Sequence, residues 1–439
     1  MKNLLKVAVA AALSLAAVSA SATDSRINGL SGGAVNLTNS SFAPDGKVLG
    51  VGLSFNEKSI TIRDTANIYT FPQYLPTYKN SVDADAVQGA SYGTMNIRYA
   101  LSDDAVLLLY GKRSAWKPVT ALNSVAGVNV PGVSGYAPTL DPTLDPTNHQ
   151  FGIGFGMKAG ESANIGAHAS IGGHNASSNQ PKDNTLFDLT AGLGLELPGK
   201  NNLDFGLNLG FGSFNDVGSD AQVLYQPNGI FNFGLNFKGE FQVHQIAKIV
   251  PYLNFRYDSR NVSHGPDQNP GDTETQQASL SMTSIMVGTD LAIQPVEGVL
   301  IQPGFGLGFA TSAVSGTSAS TPVGQQANIA TVDNSSNRII PYYGFAAEAK
   351  AFDWMKLRLG ARQQIVMTNI GNIAQSPAPT TEKHSSTVLN TVTTGVGFQL
   401  MGWDLDVNMN PSFFNTGVFA ATGNATGGWG VDWALLYRW

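Results

Sequence analysis

The chain has no cysteine, so a disulfide framework and a lipid-modified cysteine are both unavailable to it. Charge is scarce at 13% of residues, and acids outnumber bases 31 to 25. A nucleic-acid partner would need the opposite, a basic surface, so none is expected. After residue 22 there is no run of about 20 apolar residues, which excludes helical membrane spans. The six histidines, His149, His168, His174, His244, His264 and His384, show no metal-ligand spacing, so no metal and no cofactor is expected. His168 alone falls on an inward strand position, where it reads as a solvated polar residue.

Two motifs fail for want of context. Gly89-Ala90-Ser91-Tyr92-Gly93 matches the nucleophile elbow, which works only on a strand-to-helix turn, and here it leads into a strand pattern. Gly304-Phe305-Gly306-Leu307-Gly308 is spaced like a phosphate loop, but no helix follows to supply a dipole. With no assembled nucleophile and base, no catalytic residue is assigned and an enzyme is not expected.

What the chain does have is glycine, 49 residues of it, and a two-residue period. Phe151, Ile153, Phe155 and Met157 alternate with glycines. Leu203, Phe205, Leu207, Leu209 and Phe211 alternate with Asp204, Gly206, Asn208 and Gly210, and Phe231, Phe233, Leu235 and Phe237 with Asn232, Gly234, Asn236 and Lys238. Helical spacing cannot produce this pattern. In a soluble sandwich the polar face would carry Lys, Glu and Thr. Here it is small and rich in Gly and Asn, which suits the crowded inner face of a closed barrel whose outer face meets lipid.

The two ends agree. Met1 to Lys6 is a short basic start, Val7 to Val18 an apolar run, and Ala20-Ser21-Ala22 a small-residue cleavage site. Residues 1–22 therefore read as a signal peptide cleaved near Ala22. Its loss removes Lys2 and Lys6 and takes the formal charge from −6 to −8. At the other end, Val431, Trp433, Leu435, Tyr437 and Trp439 share one face of a strand that stops on an aromatic. This segment resembles the C-terminal strand of Gram-negative outer-membrane β-barrel proteins. The resemblance implies that Tyr437 and Trp439 form the signal read by the barrel-assembly machinery, and that outer-membrane lipid is a partner.

The expected fold is therefore all-β: a transmembrane antiparallel up-and-down barrel of about sixteen strands, with a range of fourteen to eighteen. Short turns at 102–104, 158–161, 198–201, 295–298 and 353–354 alternate with long Ser/Asn/Gly/Pro-rich segments, the rhythm of periplasmic turns and external loops. The first strand is read at Val48–Phe55, with 57–91 as an external loop. Residues 23–46 are either a periplasmic tail or a small plug, and 47–439 are the barrel.

A sixteen-stranded barrel leaves an aqueous lumen unless something fills it. The resemblance extends to porin-like channels, and the expected function is passive diffusion of small hydrophilic solutes or ions, with homo-oligomers as one arrangement. Lys or Arg facing lipid would cost about 2–4 kcal/mol, so strand parity sends charge inward. That makes Arg98, Arg256, Asp290, Glu348, Lys350, Lys356, Arg358, Arg362 and Asp432 candidate pore-lining charges, whether as a selectivity field or as internal salt bridges. The tandem Leu-Asp-Pro-Thr at 140–147 suits either a plain external loop or one folded into the pore. Two alternatives stay open. A plugged fatty-acid or hydrocarbon transporter fits the length and the Gly-rich start, but that family's Asn-Pro-Ala motif and an inward apolar row are not evident. A surface-structural or adhesive barrel would work through its loops.

Overall fold

In a computed structural model, the protein is described at residues 26, 30, 35–36, 56–57, 60–62, 64–87, 92–115, 147–173, 182–217, 224–226, 230–264, 275–320, 328–371, 383–409 and 431–439. Sixteen antiparallel strands close into one barrel. They are β1 (Ser81–Val87), β2 (Tyr92–Ala100), β3 (Ala105–Ala115) and β4 (Thr147–Lys158). Next come β5 (Ala163–Gly173), β6 (Lys182–Leu197), β7 (Asn201–Val217) and β8 (Ile230–His244). The tall side of the wall follows: β9 (Ala247–His264), β10 (Thr275–Ile293), β11 (Val299–Ser320) and β12 (Asn328–Phe352). The ring ends with β13 (Met355–Gly371), β14 (Lys383–Leu400), β15 (Trp403–Met409) and β16 (Val431–Arg438). Each strand pairs with its sequence neighbour, and β16 pairs with β1 to complete the ring.

The expected first strand at Val48–Phe55 lies outside the described residues. The strand that closes the ring is Ser81–Val87, within what the sequence presented as an external loop. Its alternation of Asp83 and Asp85 with Val82, Ala84 and Ala86 is a strand pattern whose polar positions are charged.

Outward positions form an apolar belt. Phe151 is 71% exposed and Phe305 65%, and Ile153, Leu189, Leu207, Ile285, Ile339 and Leu359 are exposed beside them. Apolar surface on this scale around a closed barrel needs lipid, and this is the organisation of a bacterial outer-membrane protein. Among the described residues no helix is long and apolar enough to cross a membrane. At the short-turn end, Phe352 stacks on Trp354 (5.5 Å) and Trp354 on Phe398 (6.1 Å), while Trp403, Tyr437 and Trp439 form a second row with gaps of 4.5 and 6.2 Å. These rings form the interfacial girdle. The turn between β14 and β15 is two residues, Met401 and Gly402, both with positive φ (49° and 85°), as a tight type I′ hairpin requires.

A strand of 9–11 tilted residues spans the bilayer. β2 has 9 residues and β3 has 11, but β11 has 22 and β12 has 25. One side of the wall therefore rises well past the belt. Thr283, Thr311, Asn337 and Asn369 lie in one paired row on its outer face and mark where the apolar belt stops.

Candidate functional site

Residues 60–62 and 64–80 do not hang outside the barrel. They fold into its lumen near the short-turn end as two 3₁₀ turns, Thr65–Tyr69 and Pro72–Tyr78. Asp64 caps the first, its carboxylate accepting from the Ala66 N–H at 3.0 Å. Pro72 starts the second, and Pro76 inside it keeps it short. The chain then leaves the lumen through Asn80, in the left-handed region (φ 54°), and enters β1. Asn80 also fastens the wall: its side-chain oxygen accepts from the Ala100 N–H and its carbonyl from the Trp439 N–H.

The wall is shaped to receive this plug. Gly156, Gly166, Gly192 and Gly206 stand directly opposite one another on β4, β5, β6 and β7. A methyl group at any of them would collide with the plug: with Leu75 at Gly156, Pro72 at Gly166, Gln73 at Gly192 and the Thr70 carbonyl at Gly206. The row is a trough in which plug backbone lies against wall backbone. Apolar contacts complete the seat. Ile60, Ile68, Phe71, Tyr74, Leu75 and Tyr78 pack in one cluster with Val106, Leu108 and Tyr110 of β3 and with Tyr252, Met286, Ile340 and Tyr342 on the far wall. The inward apolar row absent from the sequence reading is therefore present. Its signal was the unbroken run Ala105–Tyr110, apolar on both faces of one strand.

Polar anchors ring the plug. Arg26, brought to the lumen from the N-terminal segment, makes a two-pronged bond to Glu348 (2.8 and 3.0 Å) and approaches Asp64 at 3.5 Å. Arg358 shares Glu348 (2.8 Å) and reaches Asp406 (2.5 Å). Burial alone would pull the Arg26 pKa down, but the charges of Glu348, Asp64 and Asp406 outweigh it, so its pKa is raised and it stays a cation. Opposite, Tyr74 donates to Asp204 at 2.5 Å and Gln73 to the same carboxyl group at 3.3 Å. Lys238, wholly buried, lies 3.9 Å from Asp204 and 3.4 Å from Glu240, with the Tyr74 ring centroid 5.1 Å from its ammonium. Thr61 donates to Asp290, which also accepts from Gln302 at 2.8 Å. Charges buried this deeply persist only when paired, so the plug and the wall complete each other.

His168 is buried, not solvated. Its Nε2 faces the Tyr69 carbonyl (3.1 Å), which can only accept, so Nε2 carries the proton and Nδ1 accepts from the Tyr110 hydroxyl (2.9 Å). Tyr69 also stands edge-on to both rings, and its hydroxyl accepts from Asn96.

Of the charges named from the sequence, Arg98 (to Asp83, 2.6 Å), Asp290, Glu348 and Arg358 face inward and are bonded, Glu348 and Arg358 to each other. Arg256, Lys356 and Arg362 are half-buried. Lys350 is exposed at the rim and pairs with Asp353 at 2.8 Å, and Asp432 stands opposite Asn408 in the wall. Tyr437 and Trp439 sit in the girdle. The tandem Leu-Asp-Pro-Thr lies, apart from Thr147, outside the described residues. Sequence reasoning missed Arg26, Thr61, Asp64, Gln73 and Tyr74, the plug's own anchors. The density of aromatics in 69–78, four rings in ten residues of a supposed external loop, was the available signal. Where the sequence suggests an open, charge-lined passage, the described plug residues occupy the lumen at this level.

No protein-family model matches the sequence, and no curated protein does. Among solved structures, the siderophore receptor PiuA from Acinetobacter baumannii matches at 7% identity and a TM-score of 0.40, over 60% of this chain and 47% of that one. The alcaligin outer-membrane receptor FauA from Bordetella pertussis matches at 8% identity and a TM-score of 0.42, over 75% and 60%. The ferric yersiniabactin uptake receptor FyuA from Yersinia pestis gives 7% and 0.37, over 82% and 80%. The chain thus spans about half to three-fifths of the length of the first two.

Proposed function

We propose that this chain is a stoppered uptake barrel of the outer membrane that passes an apolar or amphipathic small molecule, and that it does not stand open to ions. One observation carries the reading. The lumen near its short-turn end is filled by residues 64–78, with Ile68, Phe71 and Leu75 wholly buried against apolar wall residues. A diffusion pore gains nothing from an apolar seat, since water and hydrophilic solutes are repelled by it. A greasy solute, by contrast, can replace plug contacts with its own as it moves through, so plug and cargo compete for the same surface.

Two measurements test this together. The purified full-length protein in a planar bilayer should give little or no stable ohmic current. Cells that display it should accumulate radiolabelled toluene faster than matched cells without it. Sustained ion-conducting steps from correctly folded protein would restore the open-pore reading, and an unchanged toluene rate would remove the uptake reading.

A further inference from the structure

The tall side of the wall carries a second feature at the height where the outer apolar belt ends. Arg256 on β9, Ser284 on β10, Ala310 on β11 and Arg338 on β12 stand in one paired row on the lumen face. Two arginines thus flank two small residues, about 14 Å apart at the usual strand spacing. Ser284 is 2% exposed, and its hydroxyl has no hydrogen-bond partner among the described residues. A buried donor left unmatched is costly and rare, and it marks a place where an acceptor belongs. Asp258, one row higher on β9, is the carboxylate nearest along these strands, so cations outnumber anions here among the described residues.

Below this row the wall changes character. The next inward row includes Met286 and Ile340, and the row beneath it places Tyr252 and Tyr342 on either side of Gly288 and Gly306. The two tyrosine hydroxyls bond each other across the glycines, where a methyl group on either glycine would strike a ring. From the arginines to this tyrosine bridge is four residues, roughly 13 Å. The apolar stretch between is covered by the cluster that includes Ile60 and Ile68 of the plug.

We propose that this strip binds a monoanion with an apolar body. The carboxylate sits between Arg256 and Arg338 and accepts from Ser284, and the body lies along Ala310, Met286 and Ile340 down to the tyrosine bridge, in place of the plug's isoleucines. The proposal rests on the uptake reading and narrows its cargo to amphipathic acids. It also supplies a reason for release: the ligand gains a charge-assisted contact that the plug does not offer, so its arrival favours the unseated plug.

Equilibrium binding of radiolabelled decanoate and of 1-decanol to the full-length protein in nanodiscs tests it. Wild type should hold decanoate at least about tenfold more tightly than decanol, since one charged hydrogen bond is worth about that factor. Arg256→Gln and Arg338→Gln should each weaken decanoate about tenfold and leave decanol within about twofold, and Ser284→Ala should cost decanoate about threefold. Lys158→Gln, on the opposite rim, should change neither. Heat-dependent gel mobility reports whether each variant is folded; should Arg338→Gln fail to fold, Arg256→Gln and Ser284→Ala decide. Equal binding of the two probes, arginine variants that bind decanoate like wild type, or no decanoate binding to folded wild type would overturn the site. Toluene accumulation and ion silence are read without decanoate, so the uptake reading stands or falls separately.

Discussion

Gly166 and Gly206 offer the sharpest handle on the plug. A Cβ at Gly166 would run into the Pro72 carbonyl, and one at Gly206 into the Thr70 carbonyl. Both obstacles are backbone, so no side-chain tip can swing aside, and the plug itself must lift. Overpacking of this kind costs about 1–3 kcal/mol per site. At about 1.4 kcal/mol per tenfold, each alanine shifts the balance of seated and unseated plug by roughly 5- to 150-fold, and the pair compounds. The wall should tolerate the change, because alanine orders more cheaply than glycine in a strand. Gly234→Ala serves as the control: the nearest atom to its added methyl, Asn208 Cβ, is 3.5 Å away, an ordinary contact. Planar-bilayer recordings should show frequent ohmic openings for the Gly166→Ala/Gly206→Ala double variant and wild-type quiet for Gly234→Ala, with all three folded by heat-dependent mobility. A folded double variant as silent as wild type would refute the trough as the plug's seat.

Other expectations follow from the anchors. Arg26→Ala removes one partner but leaves Glu348 its bond to Arg358, so the seat should weaken by less than the roughly 3–5 kcal/mol of an orphaned buried charge, whereas Glu348→Gln leaves two arginines short and should open the channel more often. Burial and the nearby Asp83 charge push the Tyr69 phenol well above its ordinary value of 10.0, so the seated plug holds the proton that a released one loses. Its contribution is whole below pH 10 and fades above it, and the alkaline onset of conductance should flatten in Tyr69→Phe. Deleting Trp439 removes the N–H bond to Asn80 and the ring beside Tyr437, and should lower the folded fraction recovered from membranes, as judged by immunoblot of heat-modifiable protein.

The barrel was legible because lipid imposes its rule on every strand. Phe151, Phe205, Leu357 and Trp433 had to face out, and two-residue alternation has no other explanation over so many segments. The terminal strand and the short turns were legible for the same reason. The plug was not, because 3₁₀ turns broken by Pro72 and Pro76 leave no period to read. Its charges gave no local sign either, since Arg26 meets Glu348 across 322 positions. β1 was hidden by its own chemistry: Asp83 and Asp85 look like loop residues until the partners Arg98, Asn96 and Thr94 stand beside them. Among the candidate pore charges, parity pointed to the inward Arg98, Glu348 and Arg358, but it could not foresee that a plug and neighbouring strands would hold them, or that Lys350 would stand exposed at the rim.

The seam between β1 and β16 has six paired residues, against twenty-two between β11 and β12, and it joins residues 81–86 to residues 433–438. Contacts so distant in sequence are the slowest to form, so this seam is the natural last join of the wall. Only Lys79 and Asn80 separate the plug from the first strand of that seam, and Asn80 is itself bonded to Trp439. The stopper therefore arrives on the same stretch of chain as the edge that finishes the ring. In building terms the vessel is corked as it is sealed, and no open intermediate need ever sit in the membrane to leak.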